Sequence, residues 1–239
     1  MKITRVKAHP MTMPLDKIYW TSRAPWGTYN TIVVTVETDE GVTGLGFINK
    51  TPLKDIADIV DALEPVIKGM DALATEAVWN RIFNLTVPHV EPGKTVATRP
   101  VYDQNKRVFI MAALAGIDLA LWDIKGKALN IPMWRLLGSD TREVFAYASG
   151  GYYEEGRSPL AVIDEMAGYA AQGYTAVKMK CGGLSIEGDL ERISGVRKAI
   201  GDKALLMIDA NGAYTLRDAE RAIKTFEPCN IFWFEEPLH

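Results

Sequence analysis

Two cysteines and three histidines are all that this 239-residue chain offers of the side chains that commonly ligate soft or borderline metals. Cys181 and Cys229 lack the paired spacing of a zinc site and read as two buried thiols of a reducing compartment. His9, His89 and His239 are too scattered to propose a zinc cluster. Long apolar runs are missing as well. None reaches the roughly 18 residues that a membrane-spanning helix needs, and the opening "MKITRVKAHPMTMPLD" lacks the continuous apolar core of a secretory signal. Charge of one sign is also scarce. The 27 basic and 30 acidic residues leave a formal −3, with no basic stripe for nucleic acid and no long charge run for a tail. A phosphate loop is absent too: "GGL" at 182–184 has neither the G-x-G-x-x-G spacing nor a Walker lysine with Ser or Thr, and a tight turn explains its glycines. What remains is a cytoplasmic globular protein without a nucleic-acid or membrane partner. At 48% apolar it can bury one large core or two smaller ones.

The first 50 residues carry antiparallel patterning. "KITRVKAHPM" alternates, and "NTIVVTVETDEGVTGLGFI" reads as strand, turn, strand, with Asp39–Gly41 at the tip. Between them, "LDKIYWTSRAPWGTYN" reads as a loop rich in Pro, Gly and aromatics. Such a loop either touches a ligand or is packed by its own Trp20 and Trp26. Residues 53–66 and 73–84 read as amphipathic helices, and 105–129 as a long apolar helix containing Asp118 and Asp123, with Pro132 and Gly138 ending the helical region. The opening is α+β. From Val144 the rhythm changes to strand–helix units. "VFAYAS", "TAVKMK", "ALLMIDA" and "IFWFEE" are the strands, separated by three helical stretches, which is the pattern of a parallel sheet.

Three of those strands end in charge. Lys180 closes "TAVKMK", Asp209 closes "ALLMIDA" and Glu235 lies in "IFWFEE", at separations of 29 and 26 residues, one βα unit each. In parallel sheets and barrels the C-terminal strand ends are neighbours, and chemistry collects there. Two adjacent carboxylates repel unless a cation or proton lies between them, and oxygen ligands suit a hard divalent ion such as Mg²⁺. The alternative is a pair of turn or cap acids facing solvent, for which Asp209–Gly212 is a reasonable turn sequence. Lys178 and Lys180 share one face because strand side chains alternate. They are either snorkelling ends of a strand or functional amines; beside a metal-bound acid a lysine has its pKa depressed and can act as a base. "YASGGYYEEG" after the first of these strands either lines a site or forms a flexible loop.

These residues resemble the enolase superfamily, in particular its mandelate racemase/muconate lactonizing group. The resemblance runs through "ETDEGVTGLG", "AGIDLALWDIKGKALNIPMWRLLG", "VKMK", "DANGAYT" and "WFEEP", in that order, and covers essentially the whole chain. It implies an α+β capping domain over residues 1–135 followed by the first half of a (β/α)8 TIM-type barrel over 136–239. It further implies Mg²⁺ at the strand ends and abstraction of a proton α to a carboxylate, with stabilisation of the enediolate. By the same resemblance Asp209 and Glu235 are metal ligands and Glu236 a supporting neighbour. Lys180 is the base on one side of the substrate, and Lys178 helps hold the carboxylate and tunes its partner. Asn211 lies near the ligands and contacts substrate, while Tyr19, Trp20 and Trp26 belong to a capping loop that helps set specificity.

The sequence departs from the family pattern after "EEPLH". A full barrel takes about 250 residues by itself, and the third metal ligand and the opposite-face acid/base of the family are expected on later strands. A half-barrel leaves unpaired strand edges, an association liability. Three explanations compete: a fragment, one piece of a split or proteolysed enzyme, or a natural truncation that dimerises. The activity expected of the parent protein is Mg²⁺-dependent dehydration of an acid sugar, an aldonate or aldarate, by a homo-oligomer. The polar residues Tyr19, Thr21, Ser22 and Arg23 suit a hydroxyl-rich carboxylate substrate. Racemisation or epimerisation, cycloisomerisation, and a non-catalytic half-barrel scaffold are the alternatives, and these 239 residues alone are expected to be inactive.

Overall fold

Alternating side chains build the first sheet. The computed structural model describes residues 1–88, Gly93 and 104–239, so His89 lies outside the described residues. Strands β1 (Ile3–Trp20), β2 (Pro25–Thr38) and β3 (Thr43–Ile48) lie side by side in that order. β2 and β3 are antiparallel, with Ile32 opposite Ile48 and Val36 opposite Gly44. Ile32, Val34, Val36 and Ile48 are buried, while Leu45 and Phe47 on the other face of β3 are exposed.

Three longer helices follow among the described residues: α1 (Leu53–Ile67), α2 (Thr75–Phe83) and α3 (Arg107–Leu129). α1 buries Ile56, Ile59, Val60, Leu63 and Ile67, the three-and-four spacing of one helix face. α3 lies so close to β3 that a Cβ at Gly46 would sit 1.9 Å from the Gly116 carbonyl oxygen, and one at Gly44 2.0 Å from that of Ala120. Asp123 then reaches the Leu45 amide at 2.8 Å and Lys127 the Thr43 carbonyl at 2.8 Å. α3 ends on Asn130 in the left-handed conformation, an αL cap, ahead of Pro132 and Gly138. Pro132 opens the short helix α4 (Met133–Leu136).

The chain divides into two compact units, Met1–Met13 with Tyr29–Arg142, and Pro14–Thr28 with Glu143–His239. The segment at 15–30, read above as a loop, is mostly strand: β1 runs on to Trp20, β2 begins at Pro25, and only 21–24 form the turn. Ile18, Tyr19, Trp20, Trp26 and Tyr29 are β-favouring residues, and their preference outweighs the Pro and Gly among them.

The second unit contains four parallel strands in sequence order: β4 (Ala148–Gly150), β5 (Ala176–Lys180), β6 (Leu205–Asp209) and β7 (Ile231–Glu235). Helices α5 (Pro159–Ala171), α6 (Ile186–Ile200) and α7 (Leu216–Phe226) connect them. Each helix starts where a hydroxyl caps it: Ser158 accepts from the Ala161 amide, Ser185 from Gly188 and Thr215 from Asp218. All five residues of β5 are buried, as expected of a parallel strand covered on both faces. The α+β cap followed by four strands of a (β/α)8-type barrel is the fold expected from the sequence. One strand is shorter than its apolar run suggested. The register Ala148↔Val177 puts Tyr147 level with Ala176, where β5 begins, so Val144 and Phe145 have no ladder partner and are exposed. Among the described residues no helix is long and apolar enough to cross a membrane.

Candidate active site

Parallel pairing places the charged strand ends side by side. Lys180 on β5 is level with Asp209 on β6, and Asp209 with Glu235 on β7. Alternation turns Lys178 to the same face as Lys180. Lys180 Nζ donates to Asp209 Oδ2 at 2.6 Å and to Asn211 Oδ1 at 2.9 Å. Lys178 Nζ donates to Glu235 Oε2 at 2.8 Å and lies 3.7 Å from Asp209 Oδ2. The ammonium groups therefore alternate with the carboxylates, and the costly burial of each charge is offset by an opposite one.

Burial separates the two acids. The Asp209 side chain is 3% exposed and that of Glu235 35%. Asp209 still forms the turn that its sequence suggested, since Oδ1 accepts the Asn211 amide at 2.9 Å, but it does so facing inward rather than toward solvent. Asn211 takes a left-handed φ of 48° and Glu236 one of 42°. Glu236 is exposed and contributes its carbonyl, which accepts the Gly212 amide at 2.6 Å. Burial opposes the charge on Lys178, yet the hydrogen bond and charge of Glu235, with Tyr147 and Asp209, hold its pKa above the ordinary lysine value. Lys178 is therefore a cation at neutral pH.

Aromatic rings enclose the amines. Lys178 Nζ lies 5.3 Å from the Tyr147 ring centre and Lys180 Nζ 5.3 Å from that of Tyr152. Tyr152 in turn meets Tyr19 and Trp26 edge-on at 5.7 and 5.5 Å, and Tyr19 and Trp26 lie 5.6 Å apart. Trp20 is 43% exposed and exchanges two backbone hydrogen bonds with Tyr153, at 2.9 and 3.0 Å. Ser22 Oγ donates to the Ala210 carbonyl at 2.5 Å, and Arg23 Nη1 lies 2.9 Å from His239 Nδ1. Tyr19 and Trp26 thus contact Tyr152, which contacts Lys180, while Trp20 pairs through its backbone with Tyr153 just past β4.

Three neighbours of the site were not singled out in the sequence, although two of them lie in the stretch "YASGGYYEEG", for which lining a site was one of two readings. Trp233 Nε1 donates to Glu235 Oε2 at 3.2 Å, and its period-two spacing from Glu235 was the available signal. Tyr147 and Tyr152 flank the lysines, within a stretch that read equally well as a flexible loop.

Asp209 and Glu235 bring two hard oxygen donors to adjacent strand ends, and that donor set fits a divalent cation of the Mg²⁺ type as part of its shell of about six oxygens. Among the described residues no group of three or more His, Cys, Asp or Glu converges, so further oxygens would have to come from elsewhere.

Comparison with known proteins gives the family. Residues 2–138 match the mandelate racemase / muconate lactonizing enzyme N-terminal domain, and residues 161–239 match the enolase C-terminal domain-like family. The chain is 35% identical over 240 residues to D-galactarolactone cycloisomerase of Agrobacterium fabrum, covering 100% of this chain and 59% of that protein. It is 30% identical over 209 residues to arabinonate dehydratase of Saccharolobus solfataricus, covering 87% and 52%. The crystal structure of an enolase-superfamily member from Polaromonas sp. JS666 superposes with a TM-score of 0.84 at 32% identity, over 100% of this chain and 60% of that one. The chain thus spans between 52% and 60% of the length of these proteins. Two family matches that together take in most of its length, and a shared fold, place this chain in the mandelate racemase / muconate lactonizing enzyme family of the enolase superfamily.

Proposed function

We propose that this chain supplies one side of an active site that removes the proton α to the carboxylate of an acid sugar and eliminates water. The observation that carries the reading is the alternation of Lys178 and Lys180 with Asp209 and Glu235 at adjacent parallel strand ends. Residues 1–135 serve as the cap and 136–239 as the barrel portion. Family membership implies a divalent metal, and Mg²⁺ suits the all-oxygen donors Asp209 and Glu235 that would hold it. When bound, such an ion supplies Lewis-acid stabilisation of negative charge on the substrate carboxylate.

The chain's own residues have distinct tasks. Lys178, kept cationic by Glu235, orients the substrate carboxylate by charge. Lys180, once it has given up its ammonium proton, takes the α-proton. The C–H electron pair moves onto the carboxylate as an enediolate, then returns to form the Cα–Cβ double bond as hydroxide leaves Cβ, and the hydroxide takes up a proton to depart as water. Asn211, bonded to Lys180 at 2.9 Å, holds that amine in direction and offers its amide to a substrate hydroxyl. Tyr19, Trp20 and Trp26 with Tyr152 exclude water above the lysines. Glu236 supports the site through the backbone hydrogen bond that joins the β6 and β7 ends.

A second reading has its own support: the cycloisomerase relative is more similar in sequence and matches the whole chain. The two reactions begin alike and differ in product mass, since dehydration releases water and cycloisomerisation does not. The test incubates the protein, after its intact mass is read against the 26.4 kDa of these residues, with aldonates, aldarates and their lactones, with Mg²⁺ or with chelator. From protein heavier than these 239 residues, expected are Mg²⁺-dependent loss of water from one acid sugar and no turnover in Lys180→Ala; the 239 residues alone are expected to show no turnover. Turnover that survives both chelation and Lys180→Ala would overturn the reading.

A further inference from the structure

An ion pair almost closed to solvent lies behind Lys180. Asp189 and Arg192, one turn apart on α6, have side chains 0% and 4% exposed and are 3.0 Å apart. Such a pair is weak evidence for stability, because desolvating two charges costs about as much as their attraction returns. What it holds is more informative. Arg192 Nη1 donates to the Lys180 carbonyl at 3.2 Å and Nη2 to the Gly151 carbonyl at 2.6 Å, so one guanidinium joins the ends of β4 and β5. Asp189 Oδ2 accepts the Gly182 amide at 2.6 Å. Its Oδ1 accepts the Tyr153 hydroxyl at 2.7 Å, and that hydroxyl accepts the Gly183 amide at 2.9 Å.

The backbone from 180 to 183 is therefore gripped at Lys180, Gly182 and Gly183 by one cluster. The Tyr153 ring lies 4.1 Å from the Arg192 guanidinium, and a Cβ on Gly183 would sit 2.5 Å from that ring, so any larger residue there would have to displace it. Tyr153 also exchanges both of its backbone hydrogen bonds with Trp20. The cluster thus meets Lys180 on one side and the arm bearing Tyr19, Trp20 and Trp26 on the other.

We propose that Tyr153, Asp189 and Arg192 are positioning residues that fix the backbone carrying Lys180 and set its register against the Trp20 arm. The proposal rests on the assignment of Lys180 as the base. None of the three needs to touch substrate: they act on Lys180 through its carbonyl and the two amides that follow Cys181.

Cys181, buried and adjacent to Lys180, reports on this backbone directly, and Cys229, buried in the same unit just before β7, reports on general loosening. The test is native-state alkylation of both thiols with N-ethylmaleimide, read by peptide mass. Tyr153→Phe is the first variant because it keeps the buried ion pair. It removes a hydrogen bond to a carboxylate and one from an amide, and is expected to raise Cys181 alkylation about tenfold with Cys229 unchanged. Arg192→Lys, which keeps the charge but cannot span both carbonyls, is expected to raise Cys181 alkylation likewise, and Asp189→Asn more strongly. In the turnover assay Tyr153→Phe is expected to lower kcat about tenfold with KM unchanged. Equal acceleration of both thiols, no change at Cys181, or a rise in KM alone would overturn the proposal. If Lys180→Ala retains turnover while Tyr153→Phe still exposes Cys181 selectively, the backbone clamp stands and the role of Lys180 falls. If Lys180→Ala abolishes turnover and Tyr153→Phe leaves Cys181 protected, the clamp falls and the function stands.

Discussion

Replacing Lys180 with Met removes the ammonium that lies 2.6 Å from Asp209 Oδ2, in a pair whose side chains are 9% and 3% exposed. Breaking a buried pair from one side costs about 3–5 kcal/mol, because the remaining charge stays inside without its partner. Asp209 is not left bare. It keeps the Asn211 amide at 2.9 Å, Asn211 Nδ2 at 3.3 Å and Lys178 Nζ at 3.7 Å. Those partners reduce the expected loss to about 2–3 kcal/mol. Asp209→Asn leaves Lys180 with the Asn211 carbonyl oxygen at 2.9 Å and should cost a similar amount. The double variant strands neither charge, so it should cost about as much as one single change, roughly 2 kcal/mol or more short of additivity. The two thiols are the chain's only ones and both lie in the second unit, so urea unfolding followed by thiol protection isolates that unit. The coupling should survive molar salt, since buried pairs are screened little. Additivity within about 0.5 kcal/mol would mean that the two side chains act independently and would refute the reasoning.

Gly46→Ala should destabilise the first unit by about 1–3 kcal/mol or more, because the new methyl meets the Gly116 backbone and not a flexible side chain; thermal unfolding checks this. Glu64 has its pKa lowered by the Val6 amide that donates to it, partly offset by burial, and further lowered by Lys68. A depressed carboxyl contributes stability above its unfolded pKa that is lost as pH falls through its folded one, so acid unfolding of Glu64→Gln should show a flatter pH dependence below the ordinary carboxyl range. Thr215→Ala should cost about 1 kcal/mol through loss of the α7 cap, measured by the same urea titration. Mg²⁺ should raise the unfolding temperature of the wild type and not that of Asp209→Asn, which calorimetry with and without chelator would decide.

The strand ends were legible because an apolar run that closes in charge, repeated at βα spacing, has few structural excuses: Lys180, Asp209 and Glu235 are level with one another as their spacing required. Gly44, Gly46 and Gly116 were legible only as members of motifs, and their physical reason, a helix seated directly on a strand, needed the packing. The arm was misread because Pro25 and Gly27 outweighed the β-favouring residues around them in a local reading. Trp233 was hidden by its type, since an aromatic within an apolar strand reads as core, while Tyr147 and Tyr152 lay in a stretch that read equally as site lining or flexible loop. Asp189 and Arg192 were the least accessible of all. An acid and a base three residues apart on a helix form the ordinary pattern of a solvated face, and nothing in their side chains distinguishes a buried pair from an exposed one. Their burial depends on what faces them: the Gly182 amide and the Tyr153 hydroxyl for the carboxylate, and the carbonyls of Gly151 and Lys180 for the guanidinium. Apart from the Tyr153 hydroxyl those partners are main-chain groups, which every residue but proline carries in full, so most of the contact leaves no mark on the sequence. The part of the site set by side-chain type at strand ends can be read before folding, and the part set by backbone gripped from behind becomes visible only once the chain has brought it there.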